Sequence, residues 1–181
     1  APLTAAAAEG IEMLKAGSQV TKYGRAGAAH ATTFRLSRDE TALTWERIGM
    51  GRLRRKSVPR IILVTDILEL LIGQESEVFK RRRYSASAQV PRATYLSLSL
   101  VLQAALPSKP SQVGDSEPSR PPERITLDIS CPSLEAFGLW VASMRTLVAA
   151  AHRARLLAQK QNEQTLALRR VAEQSAIEAN V

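Results

Sequence analysis

The stretch RITLDISCPSLEAFGLWVASMRTLV, residues 124–148, changes from a strand pattern to a helix pattern at one proline. Its first part alternates, with Ile125, Leu127 and Ile129 on one face. Pro132 ends the strand, and Ser133 can cap a helix. That helix carries an apolar stripe made of Leu134, Phe137, Trp140, Val141, Met144, Leu147 and Val148. A strand followed directly by an amphipathic helix predicts a sheet covered by its C-terminal helix.

Short alternating runs fill the sequence before this stretch. They are Val20–Lys22, Thr32–Leu36, Ala42–Arg47, two runs within Ser57–Gln74 and the run Ala93–Gln103. In the last of these, serines alternate with leucines, which predicts a half-buried strand. The total is about seven strands and one closing helix, so we expect a mainly β protein with a barrel-like antiparallel sheet whose open corner the helix fills.

The predicted domain, residues 17–150, lies between two helical extensions. Thr4 can cap a first helix that Gly17 ends, which gives an N-terminal extension over residues 1–16. Residues 107–123 are rich in proline and serine and predict a flexible loop inside the domain. Residues 151–181 keep a weak helical pattern, as a continuation of the last helix or as a separate arm.

Charge and composition limit the possible functions. The 181 residues include 25 Lys and Arg against 17 Asp and Glu, a net charge of +8, which favours an anionic partner. No apolar run approaches the roughly 20 residues of a membrane span. An aromatic content of 4% leaves few side chains on which nucleic-acid bases could stack, so nucleic acid is not an expected partner.

Catalytic and metal-binding patterns are not found in the sequence. The single cysteine, Cys131, is expected to be a buried apolar residue. His30 and His152 have no metal-ligand spacing, and the two tryptophans are expected in the core. The acidic pairs Asp39/Glu40 and Glu75/Glu77 are typical of turns and loops. We therefore expect no enzyme activity, no metal and no cofactor.

Three stretches resemble the pleckstrin-homology (PH) domain, particularly its phospholipase C type. They are LKAGSQVTKYG (14–24), FRLSRDETALTW (34–45) and the strand, break and helix of residues 125–148. The resemblance covers about residues 14–150. It implies a module that places a signalling protein on an anionic membrane, through a basic mouth formed by the loops of its first and second hairpins.

Basic residues of these two hairpins are the predicted lipid-binding site. They are Lys22, Arg25, Arg35, Arg52, Arg54, Arg55 and Lys56. Arg suits bidentate phosphate contacts, and Gly24 and Gly27 would let backbone amides approach a phosphate. Lys80, Arg81, Arg82 and Arg83 form a peripheral basic patch, and Ile48 and Leu53 are candidates for insertion into the bilayer.

Thr32 departs from the family pattern. Members that select phosphoinositides usually carry a basic residue there, two positions before the Phe34–Arg35 pair. We therefore expect a single phosphomonoester, as in phosphatidic acid, to be favoured over phosphoinositides. The sequence is also similar to the acylated PH proteins of apicomplexan parasites, which sense phosphatidic acid.

The alternative function is a protein-interaction scaffold, with a partner bound through the PH-like domain and the C-terminal helix. In either case we expect a cytoplasmic protein, peripheral on the cytosolic face of a membrane. Because the sequence begins with Ala1 rather than methionine, we expect a processed or trimmed form, from which an acylation signal could have been removed.

Overall fold

The computed structural model describes residues 3–24, 29–47, 60–83, 94–103 and 125–178. The strands are β1 Ser18–Tyr23, β2 Ala29–Leu36, β3 Ala42–Arg47, β4 Arg60–Leu63, β5 Ile67–Ile72, β6 Ser97–Leu102 and β7 Ile125–Ser130. The helices are α1 Ala5–Ala16, α2 Glu77–Arg83 and α3 Leu134–Glu178.

All seven strands belong to one antiparallel sheet. Its order is β4-β3-β2-β1-β7-β6-β5, so that β1 and β7 join the first hairpins to the last three strands. Strands β4 and β5 are the two edges, and no ladder joins them among the described residues. The predicted fold class is confirmed in its seven antiparallel strands and its C-terminal helix. The sheet is, however, not closed into a barrel.

Helix α3 supplies the centre of the core. It begins as predicted after Ser133, whose Oγ accepts a hydrogen bond from the Ala136 amide at 3.1 Å. Trp140 and Met144 are fully buried, and the Trp140 Nε1 donates to Ser18 Oγ at 2.8 Å. Leu134, predicted in the apolar stripe, is instead 67% exposed.

The apolar part of α3 also meets a length-and-composition test for membrane spans, with a mean hydropathy of 1.3 over its best window. A core helix of a soluble protein passes the same test. Trp140, Met144 and Leu147 are buried in the core, but only 28% of that window is buried, so core packing accounts for part of its apolar character.

Helix α1 packs within the same compact unit as the sheet. Thr4 Oγ1 accepts a hydrogen bond from the Ala7 amide at 3.2 Å, and Gly17 ends the helix at φ 111°. Both were predicted. Gly10 lies directly against α3, where an added Cβ would overlap the Leu139 carbonyl oxygen. The absence of a side chain at Gly10 therefore permits this close approach.

Two glycine substitutions test this contact. Gly10→Ala should lower the free energy of unfolding by about 1–3 kcal/mol, since α1 must move away from α3. Gly138→Ala, in α3, should raise it by about 0.5–1 kcal/mol, because an added Cβ there meets nothing within 4 Å. Urea unfolding of both variants measures the difference. A Gly10→Ala protein as stable as Gly138→Ala would contradict this packing.

The prediction that β6 is half-buried is wrong. Ser97 and Ser99 are both fully buried, although they lie on the opposite face from Leu98 and Leu100. Their hydroxyls are satisfied within the protein. Ser97 Oγ lies 2.7 Å from Ser130 Oγ, and Ser99 Oγ donates to Asp128 Oδ1 at 2.7 Å. Hydrogen bonding therefore allows an alternating strand to be buried on both faces.

Helix α2, which the sequence did not predict, packs against that second face. Its Phe79 ring lies 4.9 Å from the Tyr23 ring, and both side chains are buried. Ser76 Oγ accepts a hydrogen bond from the Phe79 amide at 3.3 Å. The second face of the sheet is thus a small additional core.

The chain divides into two compact units, Ala1–Val148 and Ala149–Val181. The first contains the sheet, α1 and α2 and the buried turns of α3. The second is helical through Glu178. Among its described residues, the exposed large apolar side chains are Leu156, Leu157, Leu166, Leu168 and Val171.

Candidate anion-binding site

Three connections, β1–β2, β3–β4 and β6–β7, start and finish at one end of the sheet, which we call the mouth. Strand β1 reaches it at Tyr23 and β2 leaves it at Ala29, while β3 reaches it at Arg47 and β4 leaves it at Arg60. Tyr23 pairs with Asp128, so antiparallel β7 also begins at this end. The registers therefore bring the first and second hairpin connections, residues 24–28 and 48–59, to the same end of the sheet. This is the arrangement that a shared phosphate site requires.

Lys22 lies at the mouth and is half-buried. Its Nζ lies 6.0 Å from the centroid of the Trp45 ring and donates to the Tyr23 carbonyl oxygen at 3.5 Å. Burial lowers the pKa of Lys22 from its ordinary 10.5, and the positive charge of Arg60 lowers it further, while Asp128 acts in the opposite direction. A bound anion would raise the pKa of Lys22 again, because its negative charge would offset the effects of burial and of Arg60.

Arg60 ends the basic cluster of residues 52–60 but was not among the predicted lipid-binding residues. It pairs with Trp45, and Trp45 pairs with Phe34 on β2, so Arg60 shares a sheet face with Trp45 and Lys22. Within the described part of the chain, neither Lys22 nor Arg60 forms an ion pair with a carboxylate. The positive charge of Arg60 acts on Lys22, and two neighbouring cations can hold a phosphate group. The signal for Arg60 in the sequence was its position at the end of the basic run of residues 52–60.

His30 and Thr32 follow on β2. His30 pairs directly with Lys22, and Thr32 pairs with Val20. Thr32 is only 2% exposed, and its Oγ1 donates to the His30 carbonyl oxygen at 3.1 Å. Thr32 is therefore part of the core and contributes no ligand to the mouth.

Arg35 does not lie at the mouth, contrary to the prediction. Lys22 pairs with His30, five residues before Arg35, which separates the two cations by roughly 17 Å along the strand and places them on opposite faces. The Arg35 guanidinium donates instead to the Ala16 carbonyl oxygen at 3.1 Å, at the C-terminal end of α1. Arg35 therefore holds the end of that helix.

The predicted peripheral patch coincides with α2. This helix packs on the face of the sheet opposite Lys22, through Phe79 and Tyr23. Lys80 is exposed and forms an ion pair with Glu77 at 3.4 Å. The backbone of Arg81, Arg82 and Arg83 belongs to the same helix. This patch is consequently separate from the Lys22 site.

The remaining predicted site residues lie outside the described residues. They are Arg25, Arg52, Arg54, Arg55 and Lys56, together with Gly27 and the insertion candidates Ile48 and Leu53. Each belongs to one of the two connections whose ends the sheet brings to the mouth. Their participation in the site stays a prediction.

Aromatic packing connects the mouth to the core. The Trp45 ring stacks on Phe34 with centroids 5.6 Å apart, and Phe34 meets the edge of Trp140 at 5.5 Å. Trp140 is fully buried, as predicted, whereas Trp45 keeps partial exposure beside Lys22. The partly exposed Trp45 ring therefore joins the Lys22 ammonium to the aromatic core.

The opposite end of the sheet has a structural role. In the turn between β2 and β3, Ser37 and Thr41 hold the pKa of Asp39 below its usual range through hydrogen bonds. Glu40, at φ 62°, forms an ion pair with Lys15 of α1 at 2.9 Å. These acidic residues shape the turn and hold α1, which agrees with the interpretation from sequence.

Cys131 is buried in the folded protein. Burial raises the pKa of the Cys131 thiol to about 12, so the thiol is unreactive in the folded protein, and its predicted burial is confirmed. Across the five described ranges, no group of three or more His, Cys, Asp or Glu could hold a metal ion.

Comparison with known proteins gives weak similarities. No family model matches the chain. Inner Membrane Complex Sub-compartment Protein 1 from Toxoplasma gondii is similar in structure, with 15% identity over 82% of this chain and 96% of that chain and a TM-score of 0.49. Sub-compartment Protein 3 from the same organism shows 10% identity, coverage of 83% and 90%, and a TM-score of 0.49. A PH domain from TgAPH shows 10% identity, coverage of 80% and 95%, and a TM-score of 0.43.

Proposed function

We propose that this chain is a peripheral membrane-binding module that recognises anionic phospholipid headgroups at the mouth, on the cytosolic face of a membrane. Lys22 and Arg60 would contact the phosphate directly. Arg25, Arg52, Arg54, Arg55 and Lys56 would add cations from the two hairpin connections. The proposal takes the domain to be of the phospholipase C type, as the sequence resemblance implies.

One observation carries the proposal: two cations share a sheet face, and in the described parts of the chain neither forms an ion pair with a carboxylate. Lys22 is half-buried beside the positive charge of Arg60, an arrangement that costs free energy in the empty site. A phosphate group would relieve both the burial and the repulsion. Proteins usually pair or solvate such charges, and their proximity at an open end therefore favours an anionic ligand.

Phosphatidic acid is the favoured lipid. An inositol polyphosphate needs cations on several sides, and the Thr32 side chain is buried where one of them would stand. Arg35, a second possible ligand, is committed to the Ala16 carbonyl oxygen. A single phosphomonoester requires only one group of cations, such as Lys22 and Arg60.

Vesicle flotation tests the lipid preference. Vesicles matched in total negative charge should carry either phosphatidic acid or a polyphosphoinositide in a phosphatidylcholine background. We expect tighter binding to phosphatidic acid, by about tenfold, because the phosphomonoester fits the small site without leaving other phosphates unpaired. Tighter binding to the polyphosphoinositide would contradict the preference.

Protein binding through the C-terminal helix is the second candidate function. The side chains of Leu157 and Leu168 favour it, because they are 61% and 71% exposed. Exposed apolar side chains on one helix can form a surface for a protein partner. The variant Leu157→Gln/Leu168→Gln should then lose a specific protein partner while keeping its fold. If the chain binds no anionic vesicle and this variant loses a partner, the scaffold function replaces the lipid function.

A further inference from the structure

We infer that the C-terminal unit pairs with a second copy of this chain, as two antiparallel helices. This inference does not depend on lipid binding at the mouth, and it names a different partner from the one that the scaffold function requires. The surface involved is one side of the helix within the unit Ala149–Val181.

The residues on this side of the helix follow a heptad spacing. They are separated alternately by four and three positions, and they are Ala150, Ala154, Leu157, Gln161, Gln164, Leu168, Val171 and Ser175. We call this surface the C-terminal stripe. A spacing that averages about 3.5 residues places side chains along one side of an α-helix, as in two-stranded coiled coils. The C-terminal stripe is therefore suited to pairing with another helix.

The C-terminal stripe is accessible to a partner. All residues from 153 to 175 are exposed, and among them Leu157 is 61%, Leu168 71% and Val171 65% exposed. Helices in proteins owe most of their stability to the packing of one apolar face. Burial of these three side chains against a second helix would stabilise the unit by removing apolar surface from water.

The order of side chains along the C-terminal stripe favours a second copy as the partner. The two central residues are glutamines, the next two outward are leucines, and the two after them are Ala154 and Val171. This order is nearly the same in both directions. In an antiparallel pair centred between the glutamines, leucine meets leucine and each central amide meets another amide. A two-fold interface requires such self-complementarity, whereas a purely apolar partner would leave the central amides without hydrogen bonds.

The distribution of charge along the helix favours the antiparallel direction. Residues 149–162 contain three basic and no acidic residues, a net charge of +3. Residues 163–178 contain two basic and three acidic residues, a net charge of −1. A parallel pair would place the two positive segments side by side. An antiparallel pair instead places each positive segment beside a segment of opposite sign, which lowers the electrostatic energy.

Sedimentation equilibrium of the full chain measures the association. We expect the wild type to have twice the molar mass of one chain at about 100 µM, a concentration that detects micromolar affinities. Leu157→Gln/Leu168→Gln should weaken dimerisation about 100-fold, because four leucines of the dimer lose their burial. Leu156→Gln/Leu166→Gln is the matched control, since these leucines are 58% and 47% exposed but lie outside the stripe. It should dimerise like the wild type, and circular dichroism establishes that both variants keep their helix content.

Disulfide cross-linking tests the direction of the two helices. Ala154→Cys and Val171→Cys would be prepared as separate proteins and oxidised alone and as an equal mixture. We expect cross-linked dimers in the mixture, because Ala154 would lie opposite Val171 of the partner subunit, within the distance that a disulfide requires. The wild type is the control, because its single cysteine, Cys131, is buried. Cross-linking of each variant with itself, and not in the mixed pair, would contradict the antiparallel arrangement.

The outcomes separate this inference from the two candidate functions. A wild type that remains monomeric at that concentration refutes the pairing, and so does equal dimerisation of the stripe variant and its control. Neither result affects lipid binding, which flotation measures separately. If the wild type is monomeric and Leu157→Gln/Leu168→Gln loses a different protein partner, the C-terminal stripe serves the scaffold function and the pairing is refuted.

Discussion

The double variant Lys22→Glu/Arg60→Glu should bind anionic vesicles about 10³-fold more weakly than the wild type. Each basic side chain near an anionic membrane contributes about 1 kcal/mol, and the two reversals change the local charge by four, which amounts to about 4 kcal/mol. Lys22→Glu alone should lose about half of this free energy, a factor of about 30. Flotation at fixed ionic strength measures both losses, because salt screens these interactions.

Arg38→Glu is the matched control for this prediction. Arg38 is exposed in the turn between β2 and β3, at the end of the sheet opposite the mouth. Its reversal changes the net charge as much as Lys22→Glu does, yet should alter binding by no more than about twofold. Equal losses for Lys22→Glu and Arg38→Glu would mean that the total charge of the protein, and not the mouth, determines binding. Circular dichroism and thermal unfolding establish that each variant remains folded.

Trp140→Ala should cause the largest loss of stability of any single truncation considered, about 3–5 kcal/mol in the free energy of unfolding. Trp140 is fully buried, packs against Phe34 and donates a hydrogen bond to Ser18. Its removal leaves a cavity between α3 and the sheet and a Ser18 hydroxyl, itself only 6% exposed, without its donor. Urea unfolding monitored by circular dichroism gives the value.

Trp45→Ala is the comparison for this core variant. Trp45 also packs against Phe34, but it is only partly buried. We expect a loss in the free energy of unfolding of less than half that of Trp140→Ala, together with weaker lipid binding, because the ring is a neighbour of Lys22. A Trp45→Ala protein less stable than Trp140→Ala would show that the mouth, and not α3, is the centre of the core.

Elements with strong local signals were predictable from the sequence. Ala42–Arg47 is a strand with the predicted bounds, and α3 begins after the predicted cap at Ser133. In both cases residues close in sequence determine the outcome, through side-chain alternation or a capping hydroxyl. Helix α2, by contrast, has only seven residues, too few for a clear helical period.

The features that depend on contacts between distant residues were not predictable. Ser97 and Ser99 alternate like solvent-facing residues, but they are buried because hydrogen bonds to Ser130 and Asp128 satisfy their hydroxyls. The separation of Lys22 from Arg35 follows from the register of the β1–β2 hairpin. The connection between the two strands sets this register, and amino-acid composition does not reveal it. The effect of the Arg60 charge on Lys22 likewise joins residues that are distant in sequence, which local patterns do not reveal.

Paramagnetic relaxation enhancement tests the central claim most directly, since it reports which end of the sheet meets the lipid. Nanodiscs containing phosphatidic acid and a lipid with a spin-labelled headgroup would broaden the backbone amide signals that approach the membrane. The account predicts broadening at Lys22, His30 and Arg60, and sharp signals from the turn that contains Arg38 and Glu40. Broadening at that turn, with sharp signals from Lys22 and Arg60, would contradict it.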